Sequence, residues 1–187
     1  MHSKQTNADW FDPPYDARVV ANFILHKYLE RFEEMTQLRL YKLIYFSHGW
    51  YLAEYRRPLV WNHFEAWENG PVIKVVRDCF SRFQTAPIDS FSSIFDYRTG
   101  GTIELPHRLR DNDEAFVELV TAGYDRYTAG QLSGLTHARG SAWDLIWRAK
   151  GPVGRFGLRL TNDEILRDFQ DIAVPEEGSY KGSPLNE

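Results

Sequence analysis

The residues with chemistry to offer are few: one cysteine, six histidines and 26 acids in a chain of 187 residues. Cys79 sits with Val72, Val75, Val76, Phe80 and Phe83 at helical spacing. That puts its thiol on an apolar face, where free cysteine behaves as a small hydrophobe and not as a nucleophile. His2, His26, His48, His63, His107 and His137 make no His-x-x-x-His pair and have no companion cysteine pairs. The ligand spacing of a zinc site is therefore absent, and no metal is expected. No GxxxxGK[ST] or GxGxxG phosphate loop occurs, and the glycines at 151, 154 and 157 have the wrong spacing. No GxSxG nucleophile elbow occurs either. With so many acids, neighbouring carboxylates are expected, and none stands alone in an apolar run. These residue types do not assemble a catalytic constellation, and neither enzymatic activity nor a cofactor is expected.

More telling are polar residues set inside apolar runs. His48 lies in FSHGW, and His137 ends LSGLTH. A lone histidine on an apolar face is usually a core histidine satisfied by a hydrogen bond. Glu65, between Phe64 and Ala66 in a predicted strand, points to the face opposite theirs. Two readings stand for it: a buried partner of His48, His137 or an arginine, or a solvent-facing acid. Trp61, Phe64, Trp67 and the adjoining Asn69 surround a hairpin too short to bury three large rings by itself. Those rings either close the core beneath the hairpin or form a protein-binding surface, where Trp, Tyr and Arg are enriched.

The elements that must position these residues are mostly helices. Asp16 caps a first helix running to about residue 33, with Val20, Phe23, Ile24, Tyr28 and Phe32 on one face. Thr36 opens a second helix, 37–55, which is apolar nearly all round from Leu43 to Ala53 and so must be central. Gly49 inside it costs about 1 kcal/mol relative to Ala. Gly49 and Ala53 together allow a neighbour to approach the backbone. Residues 59–61 and 64–67 read as a hairpin about Asn62-His63, and Pro71 suits the first position of a helix over 72–83. Residues 84–109 are irregular apart from a short strand at 102–105. Capping signals at Asp111/Glu114, Thr128/Gln131, Ser141/Asp144 and Thr161/Glu164 open helices over 112–127, 129–137, 142–148 and 162–172. The expectation is a mainly α fold (α+β): a compact bundle of six to seven helices with a small β-hairpin or short sheet.

Composition narrows the class. Hydrophobic residues make up 43% and aromatics 15%, enough for a sizeable core. The net charge of −4 gives no overall basic footprint, and direct nucleic-acid binding is not expected. No apolar run is long enough to span a membrane, no secretory signal opens the chain, and the single cysteine fits a reducing cytoplasm. Residues 161–187 carry seven acids and two bases, which leaves the first 160 residues at +1. The organisation expected is an extended lead-in over 1–15, a domain over 16–174 and a disordered acidic tail over 175–187.

Three blocks give the chain a family resemblance. The first is Leu38–Tyr55, with Tyr45, Phe46, His48, Gly49 and Trp50 at its centre. The second is Phe64, Glu65, Ala66, Trp67, Gly70 and Pro71. The third is Leu132–Trp143, with Leu135, His137 and Trp143. In this order they resemble the signature of the Panacea antitoxin domain, the SocA-like family often called phage-associated, and the resemblance spans residues 19–172. Asn69 departs from the pattern, standing where an aromatic is common before the glycine, and residues 84–109 match none of it. The resemblance implies an antitoxin of a toxin–antitoxin system, which neutralises a cognate protein toxin by direct binding. In the SocA type it also implies a proteolytic adaptor that hands the toxin to the ClpXP protease. Some family members carry an added DNA-binding domain, for which this chain has no room. The motif residues would serve as scaffold, with Trp61, Phe64, Trp67 and Asn69 as candidate toxin contacts. A phage-associated regulatory or host-takeover protein without a toxin partner stands as the alternative, and an uncharacterised hydrolase behind it. The oligomeric state is not set by the sequence.

Overall fold

One helix has no solvent side over most of its length, and the other elements are laid around it. The computed structural model describes residues 10–31, 33–149 and 157–172. In α2 (Gln37–Tyr55) every residue from Leu40 to Leu52 is buried. An amphipathic surface helix would alternate faces; this one must be covered all round. The cover comes from α1 (Ala17–Glu30), α4 (Asp111–Gly123), α5 (Ala129–Thr136) and α7 (Asn162–Ile172). The Phe169 ring of α7 lies where a side chain at Gly49 would begin. It meets Tyr45 and Trp50 edge to face, with centroids 5.6 and 5.3 Å apart. Gly49 thus gives up helix propensity so that the Phe169 ring can sit against the α2 backbone.

Local signals set most helix starts. The Asp16 carboxylate accepts the Arg18 N–H at 2.9 Å and opens α1. Val20, Phe23, Ile24 and Tyr28 are buried as expected, while Phe32 lies outside the described residues. The helix stops at Glu30, where the Arg31 N–H turns back to Tyr28 O. Thr128 and Gln131 form a reciprocal capping box at α5, and Thr161 and Glu164 form another at α7. Ser141 Oγ accepts from the Asp144 N–H, and the Asp144 carboxylate takes the Gly140 N–H, at the start of α6 (Ala142–Ala149). At α4 the cap is shifted: Arg110 occupies the N-cap position, and Glu114 accepts from the Leu109 N–H at 2.9 Å. This helix ends at Gly123, short of residue 127.

The expected hairpin of 59–61 with 64–67 does not form. Asn62 is not a turn residue; its carboxamide oxygen accepts the Ala17 N–H at 2.7 Å. Residues 59–61 run beside Tyr15 instead, through Tyr15 N–H to Leu59 O and Trp61 N–H to Tyr15 O. The hairpin lies one step later. β1 (Phe64–Trp67) pairs antiparallel with β2 (Gly70–Val72) across Glu68-Asn69, and on its other side with β5 (Arg159–Leu160). Pro71 is therefore in an edge strand, where a missing N–H is tolerated, and α3 (Lys74–Phe80) begins beyond it. A single 3₁₀ turn, Ser81–Phe83, extends α3 to the expected end.

A second hairpin, β3 (Ser93–Asp96) and β4 (Gly101–Glu104), occupies the segment read as mostly irregular. Its base is fixed by Asn22, buried in α1. The Asn22 carboxamide oxygen accepts the Ser92 N–H at 2.8 Å, and its NH₂ donates to Leu105 O at 2.9 Å. Residues 1–9 of the expected lead-in over 1–15, and all of the expected tail over 175–187, lie outside the described residues.

The Gly49 contact gives a direct test. Ala is the better helix former, yet Gly49→Ala is expected to destabilise the protein by about 1–3 kcal/mol because Phe169 must move. Phe169→Leu in the same chain should recover part of the loss. Equal chemical-denaturation midpoints for Gly49→Ala and the parent would contradict the packing described.

Candidate functional site

The polar residues singled out in the sequence are each tied into the scaffold. His48 is fully buried beside the Phe64 ring. Its Nε2 lies 3.1 Å from Asn162 Oδ1, and its Nδ1 accepts the Val60 N–H at 3.4 Å. This pairing selects the Nε2–H tautomer, with Nε2 donating to the carboxamide oxygen. Burial pushes the His48 pKa down to about 4, against a smaller upward pull from Asn162. The ring is neutral, and it ties α2 to α7 and to the strand approach at residue 60.

His137, Glu65 and the tryptophans form a second group. His137 ends α5 and stacks on Trp143 at 3.8 Å, and Trp143 stacks on Trp147 at 5.2 Å. Trp143 Nε1–H donates to Trp67 O at 2.8 Å, which joins α6 to β1. Trp67 Nε1–H donates in turn to the Glu65 carboxylate at 3.0 Å, and Arg77 lies over the Trp67 ring. Glu65 is thus the acceptor for a tryptophan two residues on, and not the partner of His48 or His137. Tyr45, Phe46, Gly49, Trp50, Ala66, Gly70, Pro71 and Trp143 are buried, while Leu135, His137 and Trp67 are half-buried.

Two buried polar centres escape a sequence reading. Lys42 is 0% exposed, and its nearest acceptor is Pro71 O at 3.4 Å. Among the described residues no carboxylate pairs with it. Gly70 has φ +102°, and a side chain there would run into Lys42 Nζ and Thr136 Oγ1. Glycine is demanded at that position both by the turn and by the ammonium beneath it. Burial pushes the Lys42 pKa down to about 7. His137 is also lowered, by burial first and by Lys42 second, and its Nε2 is buried without a hydrogen-bond partner among the described residues. The other centre is Asp113, whose two carboxylate oxygens accept from Tyr15 OH at 2.6 Å and Tyr51 OH at 2.8 Å. Burial and then the Asp113 hydrogen bond raise both phenol pKa values. The signal for Lys42 was present as a lysine in LYKLI; Asp113 had none, because its partners lie 62 and 98 residues away in sequence.

The expected contact residues are not gathered in one place. Trp61 is 50% exposed and precedes β1, whereas Asn69 is exposed in the turn that follows β1, held by Ser133 Oγ–H to Asn69 O. Trp67 offers a half-buried ring beneath Arg77. Phe64 has its ring against Tyr45 and His48 and presents no surface to a partner. Cys79 is half-buried against the core, and burial raises its thiol pKa, the opposite of an activated nucleophile. Among the described residues no three His, Cys, Asp or Glu side chains are placed to hold a metal ion, and no helix is long and apolar enough to cross a membrane.

Comparison with known proteins bears on the same residues. Residues 40–144 match the family model described as "Antitoxin SocA-like, Panacea domain". The chain is 38% identical over 163 residues to Antitoxin SocA of Caulobacter vibrioides (strain NA1000 / CB15N), across 85% of this chain and 86% of that protein. No solved structure matches the chain.

The Lys42 site makes a pH-dependent prediction. An amine with a folded pKa near 7 binds its proton less readily than the unfolded lysine near 10.5, so the native state is penalised fully below about pH 7 and regains stability as pH rises toward 10.5. Lys42→Met is expected to stabilise the protein by several kcal/mol, roughly 2–4, at neutral pH or below, with the gain shrinking toward pH 10. Denaturant titrations at pH 6, 7, 8 and 9 measure it; a gain that did not vary with pH would contradict a buried, unpaired ammonium.

Proposed function

The chain belongs to the SocA-like antitoxin family built on the Panacea domain, and on that premise we propose that it neutralises a cognate protein toxin by direct binding in the cytoplasm. The observation that carries the reading is the 38% identity to an antitoxin across 85% of the chain. The site geometry is consistent with it: among the described residues His48 and Glu65 are held by hydrogen bonds, Cys79 packs on the core, and His137 stacks on Trp143. Neutralisation is then an act of occupancy and not of catalysis. Trp61 and Asn69, with the exposed edge of Trp67, are the proposed contacts among the motif residues. The organisation proposed is a lead-in, a Panacea domain over 16–174 and an acidic tail.

An inhibitor that works by occupancy must match its target mole for mole. Co-expression at graded ratios with the toxin encoded beside it is expected to protect cells only when the antitoxin reaches at least equimolar amounts. Protection at a small fraction of an equivalent, with toxin chemically altered, would replace this reading with an enzymatic one.

The resemblance to SocA also supports an adaptor role, in which the bound toxin is delivered to ClpXP. In cells lacking ClpX the toxin is then expected to persist in the presence of the antitoxin, where otherwise it is degraded. Unchanged toxin lifetime would remove the adaptor role and leave neutralisation by binding.

A further inference from the structure

The hairpin of β3 and β4 stands away from the core that anchors it. Asn22 clamps its base, Ile94 rests against the core, and Phe91 stacks on His107 beside it at 5.4 Å. Further out the apolar groups are left in solvent: Phe95 and Ile103 are 51% and 49% exposed, and Tyr97 is 91% exposed. Phe95 and Tyr97 meet edge to face at 4.9 Å. A two-stranded hairpin is marginal in water by itself, and exposed rings of this size are characteristic of interface anchors.

The backbone says what kind of partner fits. Among the described residues the sheet holds β3 and β4, and neither outer edge has a neighbouring strand. The Leu105 N–H donates to Ser92 O across the base at 3.0 Å, which marks residues 92 and 105 as a hydrogen-bonded pair. By the antiparallel alternation, 94/103 and 96/101 are the next such pairs, and the main-chain groups of Thr102 and Glu104 turn outward. Among the described residues nothing bonds to those groups. All four β4 residues are exposed, whereas β3 alternates exposed with half-buried, so the β4 edge is the open one. An edge of unpaired N–H and C=O groups is matched by extended backbone. The side chains add a preference: Ile103 sits between Thr102 and Glu104, and Glu104 makes no ion pair among the described residues. Opposite charges and apolar pairs across strands are favourable.

We infer that the β4 edge takes an extended segment of the protein toxin as a third strand, with an apolar residue beside Ile103 and a Lys or Arg beside Glu104. Phe95 and Tyr97, on the face shared with Thr102 and Glu104, are left to contact the rest of the toxin surface. The inference rests on the antitoxin reading above and names the face that reading leaves open.

Thr102→Pro tests it. This substitution removes an outward N–H and spares the intrachain ladder, which uses residues 101 and 103. The probe is the protein encoded by the adjacent toxin gene, with affinity measured by titration calorimetry. Thr102→Pro is expected to weaken binding at least tenfold with an unchanged melting temperature, and Glu104→Arg is expected to weaken it about fivefold or more, while Thr102→Val binds like the parent. Hydrogen exchange on the unmodified protein supplies an arm that needs no variant: the Thr102 and Glu104 amides should become protected in the complex. Unchanged exchange at both amides, or full affinity of Thr102→Pro, would overturn the inference and leave the antitoxin reading intact. Failure of the parent chain to bind that protein at all would contradict the antitoxin reading itself.

Discussion

The constraint on which the rest of the structure depends is the complete burial of α2 from Leu40 to Leu52. A helix covered on every side cannot send its polar side chains to water, so each must be satisfied from within or tolerated at a cost. His48 is satisfied, with Asn162 on one ring nitrogen and the Val60 N–H on the other. Lys42 is tolerated, its ammonium near one carbonyl and its charge weakened by burial. Ser47 Oγ is buried without a partner among the described residues. Gly49 removes a side chain altogether so that Phe169 can close over the helix. The elements surrounding α2 take their places from these demands: α7 supplies both Asn162 and Phe169, β2 supplies the Pro71 carbonyl, and α5 supplies Thr136.

Seen this way, the family signature is largely a description of how α2 is enclosed. Tyr45, Phe46 and Trp50 are its apolar surface, Phe64 and Ala66 face it from β1, and Gly70 clears the space above Lys42. Trp143 belongs to a neighbouring joint, since its indole N–H holds the Trp67 carbonyl. With His48, Gly49 and Gly70 committed to this closure, the binding role proposed above would fall to the exposed segments.

Much of the helical layout was legible because it is written locally. Caps such as Thr128 with Gln131 and Thr161 with Glu164 involve residues three apart, and the all-round apolarity of α2 needs no knowledge of its neighbours. What failed was what depends on distant partners. Residues 59–61 have strand composition, but Tyr15 claims their backbone and Asn62 is taken to cap α1, so the hairpin forms from Phe64 to Val72 instead. The β3–β4 hairpin was only half visible, because its base is held by Asn22, about 70 residues earlier in the chain. In the site, His48 and Glu65 could be singled out from their surroundings, but their partners, Asn162 and Trp67, could not be assigned.

His48, like the other polar residues of α2 from Leu40 to Leu52, belongs to a sealed scaffold. Its imidazole reports on that seal most directly. Nitrogen-15 NMR of the histidine side chains should find His48 as the neutral Nε2–H tautomer from pH 7.5 down to about pH 5, with titration only near pH 4. A His48 ring that titrated near its ordinary value of 6.5, or that exchanged tautomers freely, would mean that water reaches the helix and that α2 is not sealed.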